Sequence, residues 1–351
     1  MKTRADRKWI LCFVAWLLFA FAVSVHDGLA QPRPQAKDSS SQAAGAKGLP
    51  SSIVFITTAM GTGQYSMGVA QGQLLTKKGL RTFNQPVGSP LAIPGLLSSK
   101  QADIALNNSA TVYWAYRGEE EFKSPHKSIR LLMTGGDVAY SVITRGDTGI
   151  KSMADLKGKR LTGNYPTSRF QTLLTQLELQ AYGYGPNDVT VLKAEFSNTA
   201  LDDLAAKRTD AVQVGIIGPR FQELGTKVDK IVVLPITPDK VASFKKVIPV
   251  VFPMGTPAGL PLEAGVPAIG VPTVLYVRDD MNEESAYFIV KTLMENQEAL
   301  IQAYREFIDW PAEKAVRHLA MPYHPGAIKY YKEKGLWTTE SEKAQQELLG
   351  K

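Results

Sequence analysis

From Ser51 onward, short apolar runs alternate with longer amphipathic ones, and that alternation restricts the chain to a parallel α/β architecture. Ser52 to Thr57 reads as a strand, followed by the Gly-rich turn Gly61-Thr62-Gly63 and a helix from about Ser66 to Lys78. Leu80 to Val87 is a second strand, Pro90 to Lys100 a second helix and Asp103 to Leu106 a third strand; a helix carrying Tyr113 and Trp114 comes next. Ser128 to Met133 and Tyr140 to Arg145 read as two further strands. Ser152 is a candidate N-cap with Asp155 at the capping-box offset, and Gly158 can end that short helix.

The same rhythm then repeats. Strand Arg160 to Asn164 leads through Pro166-Thr167-Ser168-Arg169 into a long helix ending near Tyr182. Val189 to Phe196, helix Thr199 to Arg208, strand Asp210 to Val214, helix Pro219 to Lys227 and strand Ile231 to Leu234 continue it. A Pro/Gly-rich passage, Pro249 to Pro267, bridges to Pro272-Val277, and the remainder is helical. Pairing Thr273–Val277 with Tyr140–Arg145 returns the chain to the lobe it left. The expected plan is therefore two α/β lobes with a cleft between them and two hinge crossings: 51–147 with 269–351, and 148–268.

Residues 1–30 carry Lys2, Arg4, Arg7 and Lys8, an apolar run from Trp9 to Val25, and Gly28-Leu29-Ala30. This is the grammar of a cleaved export signal, with cleavage after Ala30. The rival is a retained anchor, but seventeen helical residues reach roughly 25 Å against a hydrocarbon core of about 30 Å. Residues 31–50, rich in Pro, Ser, Ala and Gly, read as a disordered tether. The single cysteine, Cys12, leaves with the signal, and a cysteine-free exported chain suits the periplasm. Of the formal +7, the signal takes a net +2, and the rest is dispersed, which excludes a nucleic-acid footprint while favouring anions near a cleft.

No enzyme is evident. His126, His318 and His324 lack a shared face and read as surface residues, and no HExxH, GxSxG or Walker A pattern occurs. Asp202-Asp203 and Asp279-Asp280 read as helix-start carboxylates. No cofactor and no metal site are expected.

The positive signal lies at strand-to-helix turns, where exposed backbone N–H groups attract anions. Gly61-Thr62-Gly63-Gln64-Tyr65 offers close backbone approach, hydroxyls and an amide; a tight turn explains it as well. Asn107-Asn108-Ser109 ends a strand with three polar side chains, which plain capping also explains. Pro166-Thr167-Ser168-Arg169 opens the long helix and adds a guanidinium suited to clamping a carboxylate bidentately, or simply a surface charge.

From about Ile53 to Leu336 the chain resembles the TAXI family of extracytoplasmic receptors of TRAP transporters. The resemblance rests on an ordered set: Gly61-Thr62-Gly63, Ala102-Asp103-Ile104-Ala105, Ile150 to Lys159, Val271-Pro272-Thr273-Val274-Leu275 and His324-Pro325-Gly326-Ala327. It implies a type II periplasmic binding protein fold, a monomer closing on one small organic ligand, no catalysis, and delivery to the membrane subunits of a TRAP transporter. A periplasmic sensor and an ABC-importer binding protein share that fold. By resemblance Thr62, Gly63 and Tyr65 fall on the first ligand loop, Asn108 and Ser109 where members often carry Gln-Ser, and Gly218-Pro219 on a second-lobe ligand turn.

Two departures matter. The first loop is shorter than the usual Gly-Gly-Thr-Tyr-Tyr version, and Asn164 to Phe170 replaces a Gly/Ser-rich run with bulk and charge. Glutamate-type specificity is therefore not carried over. Tyr65, Tyr140, Tyr165 and Phe170 form either an aromatic wall or ordinary core. The resulting expectation is a small organic anion, a carboxylate or sulfonate, with aromatic members of that class among the alternatives.

Overall fold

The computed structural model describes residues 48–317 and 321–350, so the segment read as an export signal, most of the stretch read as a tether, and His318 lie outside the described residues. In chain order the elements are β1 (Ile53–Thr57), α1 (Gly63–Lys77), β2 (Thr82–Pro86), α2 (Ile93–Ser98), β3 (Ile104–Asn108), α3 (Ser109–Arg117) and β4 (Ile129–Arg145). They continue with β5 (Arg160–Asn164), α4 (Arg169–Ala181), β6 (Thr190–Lys193), α5 (Ser197–Ala205), β7 (Ala211–Gly215), α6 (Pro219–Lys227) and β8 (Ile231–Val233). The last are α7 (Pro238–Phe244), β9 (Phe252–Gly255), β10 (Pro267–Arg278), α8 (Glu283–Met294), α9 (Gln297–Ala303), α10 (Pro325–Glu333) and α11 (Thr339–Leu349). None of the described helices is long and apolar enough to cross a membrane.

One mixed sheet runs β2-β1-β3-β10-β4-β7-β5-β6, with β8 beside β4 and β9 beside β10. β1 is parallel to β2 and β3, and β5 is parallel to β6 and β7, as the helical crossovers require. β10 and β4 join the two parallel sets and run antiparallel to their neighbours. Thr273–Val277 of β10 pair with Ile104–Asn108 of β3, while Tyr140–Thr144 of β4 pair with Ala211–Gly215 of β7.

The two strands expected at 128–133 and 140–145 are a single 17-residue strand. Gly135-Gly136, a turn-like pair, is instead the landing for Trp310: a Cβ at Gly135 would stand 2.3 Å from Trp310 Cη2. Aromatic burial over bare backbone keeps that strand continuous. The expected pairing of Tyr140–Arg145 with Thr273–Val277 is also overturned. Tyr140 lies opposite Ile269, and Val274 opposite Thr134, because β10 starts earlier, at Pro267. The register shifts at Pro272/Val274, where proline has no N–H to give the ladder. The Pro249–Pro267 passage is not wholly irregular either, since it contains β9.

Packing follows the pattern of the apolar residues. Phe55, Leu106, Leu275 and Val290 are fully buried where α1 and α8 cover the first strands. Phe170, Leu173 and Leu174, spaced one helical turn apart on α4, cover the other end with Val138 and Ile269. Val212, Val214 and Phe221 fill the opposite face beneath α5 and α6. Each such side chain stabilises by about 1.5–3 kcal/mol over its exposed form.

The histidines differ from expectation. His324 is buried and caps α10, its Nδ1 accepting from the Gly326 N–H at 3.2 Å and its Nε2 2.9 Å from the Met281 carbonyl. His126 is half-buried against Ser98 at 2.9 Å. The carboxylate pairs also serve otherwise. Asp202 and Asp203 sit inside α5, bridged to Arg220 and Arg208, and Asp279 and Asp280 pair with Arg130 and Arg278.

Candidate ligand cleft

Four helices begin at one small cavity of about 100 Å³. At α1, Thr62 is the N-cap: its Oγ1 accepts from the Tyr65 N–H at 3.1 Å and donates to the Ala59 carbonyl at 2.7 Å. At α3, Asn108 Oδ1 accepts from the Thr111 N–H at 2.8 Å. At α4, Ser168 Oγ accepts from the Gln171 N–H at 3.5 Å. At α5, Phe196 is an N-cap without a side-chain bond, and Ser197 Oγ takes a 2.9 Å bond from Gln171 Nε2. The caps Thr62, Asn108, Ser168 and Phe196 line the cavity together with Gln171 and Ser197, and Thr58, Gln64, Thr167 and Asn198 add further neutral polar groups. Val138, Tyr140, Leu201 and Ile217 supply the apolar wall.

None of the described lining residues is Asp, Glu, Lys, Arg or His. The first-turn N–H groups of a helix have no acceptor within it, and its N-terminus carries about half a positive charge. Four such ends around one space make it receptive to negative charge without a cation. Burial pushes the Tyr140 phenol well above its ordinary value, so the wall stays uncharged.

The flanking segments touch across this space. Ile217 Cγ1 stands 2.8 Å from where a Gly63 Cβ would be, and a Cβ at Gly218 (φ +100°) would lie 2.9 Å from the Gly63 nitrogen. Asn198 Nδ2 donates to the Met60 carbonyl at 3.2 Å, and Ser89 Oγ to the Thr167 carbonyl at 3.1 Å. Beyond the Gly63–Ile217 contact lies a larger cavity of about 360 Å³, bounded by Gly218, Pro219, Trp310 and Arg305 among others.

Of the fourteen residues singled out from sequence, Thr62, Gly63, Gln64, Asn108, Tyr140, Thr167 and Ser168 line the smaller cavity. The other seven lie elsewhere. Asn107 stands behind it, donating to the Pro90 carbonyl at 3.0 Å and accepting from the Asn108 N–H at 2.8 Å. Ser109 is buried in the first turn of α3, and Tyr65, in the first turn of α1, does not border the cavity. Tyr165 is core, its hydroxyl donating to the Gln213 carbonyl at 2.6 Å. Arg169 turns from the cavity because Glu120 claims it, Nε to Oε2 at 3.0 Å, with Glu121 at 3.7 Å. Gly218 and Pro219 border the larger cavity.

The aromatic wall therefore shrinks to Tyr140, backed by Phe170 edge-on at 5.0 Å between centroids. Thr58, Gln171, Phe196, Ser197, Asn198 and Ile217 were missed. The signal for three of them was a fourth strand-to-helix turn, hidden because the β6 run reads through to Phe196. Among the described residues no group of three His, Cys, Asp or Glu could hold a metal ion.

Each parallel strand set, entered by an antiparallel returning strand and carrying its helix N-termini at the cleft, gives the type II fold of periplasmic binding proteins. Similar solved structures include XAC2383 from Xanthomonas citri bound to ATP, 14% identical over 86% of this chain and 99% of that one, with a TM-score of 0.46. The periplasmic aliphatic sulphonate binding protein SsuA from Escherichia coli is 14% identical over 85% and 84%, also at 0.46. The arginine-, lysine-, histidine-binding protein ArtJ from Geobacillus stearothermophilus is 13% identical over 74% and 97%, again at 0.46. The profile of the NMT1-like family matches residues 55–335, and the chain belongs to that family.

Proposed function

We propose that this protein is a periplasmic receptor, without catalytic activity, that captures a small organic anion and delivers it to a TRAP-type secondary transporter. One observation carries the ligand class: four helix N-termini converge on a cavity lined by neutral hydrogen-bonding groups. The anion would be held by backbone N–H groups with Thr, Ser, Asn and Gln side chains, not by Arg169. A volume of about 100 Å³ is small beside the roughly 300–1,000 Å³ of sites for drug-sized ligands, which favours a short carboxylate or sulfonate. Segments 51–147 with 269–351 and 148–268 would act as the two lobes, and closure would be a ligand-driven population shift.

The delivery step rests on the resemblance of the ordered motifs to TRAP receptors. Purified protein should melt at higher temperature with one short organic anion and be unmoved by most others. A flat response across carboxylates and sulfonates would remove the anion reading. Deletion should abolish uptake of that solute, and uptake should collapse with the ion gradient. Uptake that instead follows ATP supply would assign the chain to an ABC importer, and intact uptake with altered gene response would assign it to sensing.

A further inference from the structure

We infer that Ile217 sets the length of solute the cleft accepts, by walling the smaller cavity off from the larger one; this deepens the receptor reading above and rests on it. Ile217 borders both cavities, and so does Val138 on β4. Ile217 faces the backbone of Gly63. The Ile217 Cγ1, Cδ1 and Cγ2 atoms lie 2.8, 3.2 and 3.2 Å from the position a Gly63 Cβ would take. At this point the partition is one side chain thick.

The two sides differ in size and chemistry. The smaller cavity, about 100 Å³, has no charged lining residue, whereas the larger, about 360 Å³, has Arg305, Glu306, Asp137 and Asp309 on its border. Asp137 is neutralised by Lys314 at 3.0 Å and Arg317 at 2.8 Å. Trp310, Leu260 and Pro257 give the larger side an apolar floor. A solute with its anionic head among the four helix starts thus meets Ile217 after a few carbons. Without that side chain, its tail would run on into a space that can bury it.

The test is a length series: straight-chain carboxylates from two to eight carbons, titrated calorimetrically into wild type, Ile217→Val and Ile217→Ala. Wild type should bind the short acids and lose at least tenfold in affinity once the chain passes about four carbons. Ile217→Val should move that limit by about one carbon. Ile217→Ala should turn the loss into a gain of about fourfold per added methylene, the ratio equivalent to about 0.8 kcal/mol for a buried CH₂. Circular dichroism melts check that each variant is folded, and Ile217→Val carries the test should the alanine variant not fold. An unchanged length limit in folded variants overturns the role of Ile217 while leaving the receptor reading in place. Failure of every acid to bind wild type overturns the anion reading and this inference together.

Discussion

Arg169, the first residue of α4, donates from Nε to Oε2 of Glu120 at 3.0 Å, although the two are 49 residues apart in sequence. Glu120 holds this position with φ at +52°, a left-handed backbone that non-glycine residues seldom adopt. The bond joins the segment after α3 to the start of α4, so on the proposed two-lobe reading it favours closure. Both side chains are about a quarter exposed, which limits the pair to about 0.5–1 kcal/mol. Arg169→Ala and Glu120→Gln should therefore weaken solute binding by the same two- to fivefold, in calorimetry at low salt, and the effect should fade by 0.5 M salt. A guanidinium touching the anion would give a different result: Glu120→Gln would then tighten binding while Arg169→Ala abolished it.

Gly63 bears on closure through sterics alone. A methyl there would meet Ile217 Cγ1 at 2.8 Å, and the loop after β7 would have to withdraw. Gly63→Ala should lower solute affinity at least tenfold with little change in the melting point of the unliganded protein. Combining it with Ile217→Ala should restore most of the loss for short acids. A single variant that binds like wild type would show that closure does not bring these atoms together.

Asn108 allows charge to be tested without disturbing the helix. Aspartate caps as well as asparagine, so Asn108→Asp should leave the α3 cap and the melting temperature nearly unchanged. It places a negative charge among the helix starts, and binding of an anion should fall by a hundredfold or more at neutral pH. A cationic or zwitterionic solute would bind the variant as well or better, and the calorimetric titration separates these outcomes.

Glu178 makes a prediction about pH. It is 1% exposed on the buried face of α4, neither carboxyl oxygen has a hydrogen-bond partner, and burial pushes its pKa up to about 8. Tyr165 and Tyr182 are among the groups that feel its charge. Between the ordinary value of 4.5 and about 8 the folded state holds a proton that the unfolded state has lost. Stability from this group is therefore complete below pH 4.5 and declines as pH rises, by about 1.4 kcal/mol per unit, levelling off above 8. Glu178→Gln should remove that slope and stabilise the protein by a few kcal/mol at pH 8. Urea unfolding at pH 5 and pH 8 reads it, and parallel profiles for the two proteins would refute it.

Local chemistry made much of this fold readable. β5 and α6 fall within their sequence-read bounds because a capping box and Gly158 precede the one and Gly218-Pro219 opens the other. β4 was misread because its glycine pair is explained only by Trp310, far along the chain. At the cleft, the caps Thr62, Asn108 and Ser168 were legible as polar residues at strand-to-helix turns. The destination of Arg169 was not, since Glu120 is reached only through the fold. Tyr165 and Phe170 look the same in sequence as Tyr140, and only the positions of β5 and α4 make them core.

β4 passes without a break from one parallel set to the other, and its alternation of faces passes with it. Val138 and Tyr140 line the cavity, two residues apart, while Ala139 and Ile143 pack on the opposite side. One residue gained or lost between Gly136 and Val138 would exchange these faces for the rest of the strand. Ser141 on a loss, or Ala139 on a gain, would replace Tyr140 at the cavity, and Ile143 would leave its core. The strand thus tolerates substitution far better than any change in its length, so among related chains it should read as a block free of gaps, flanked by loops where gaps collect.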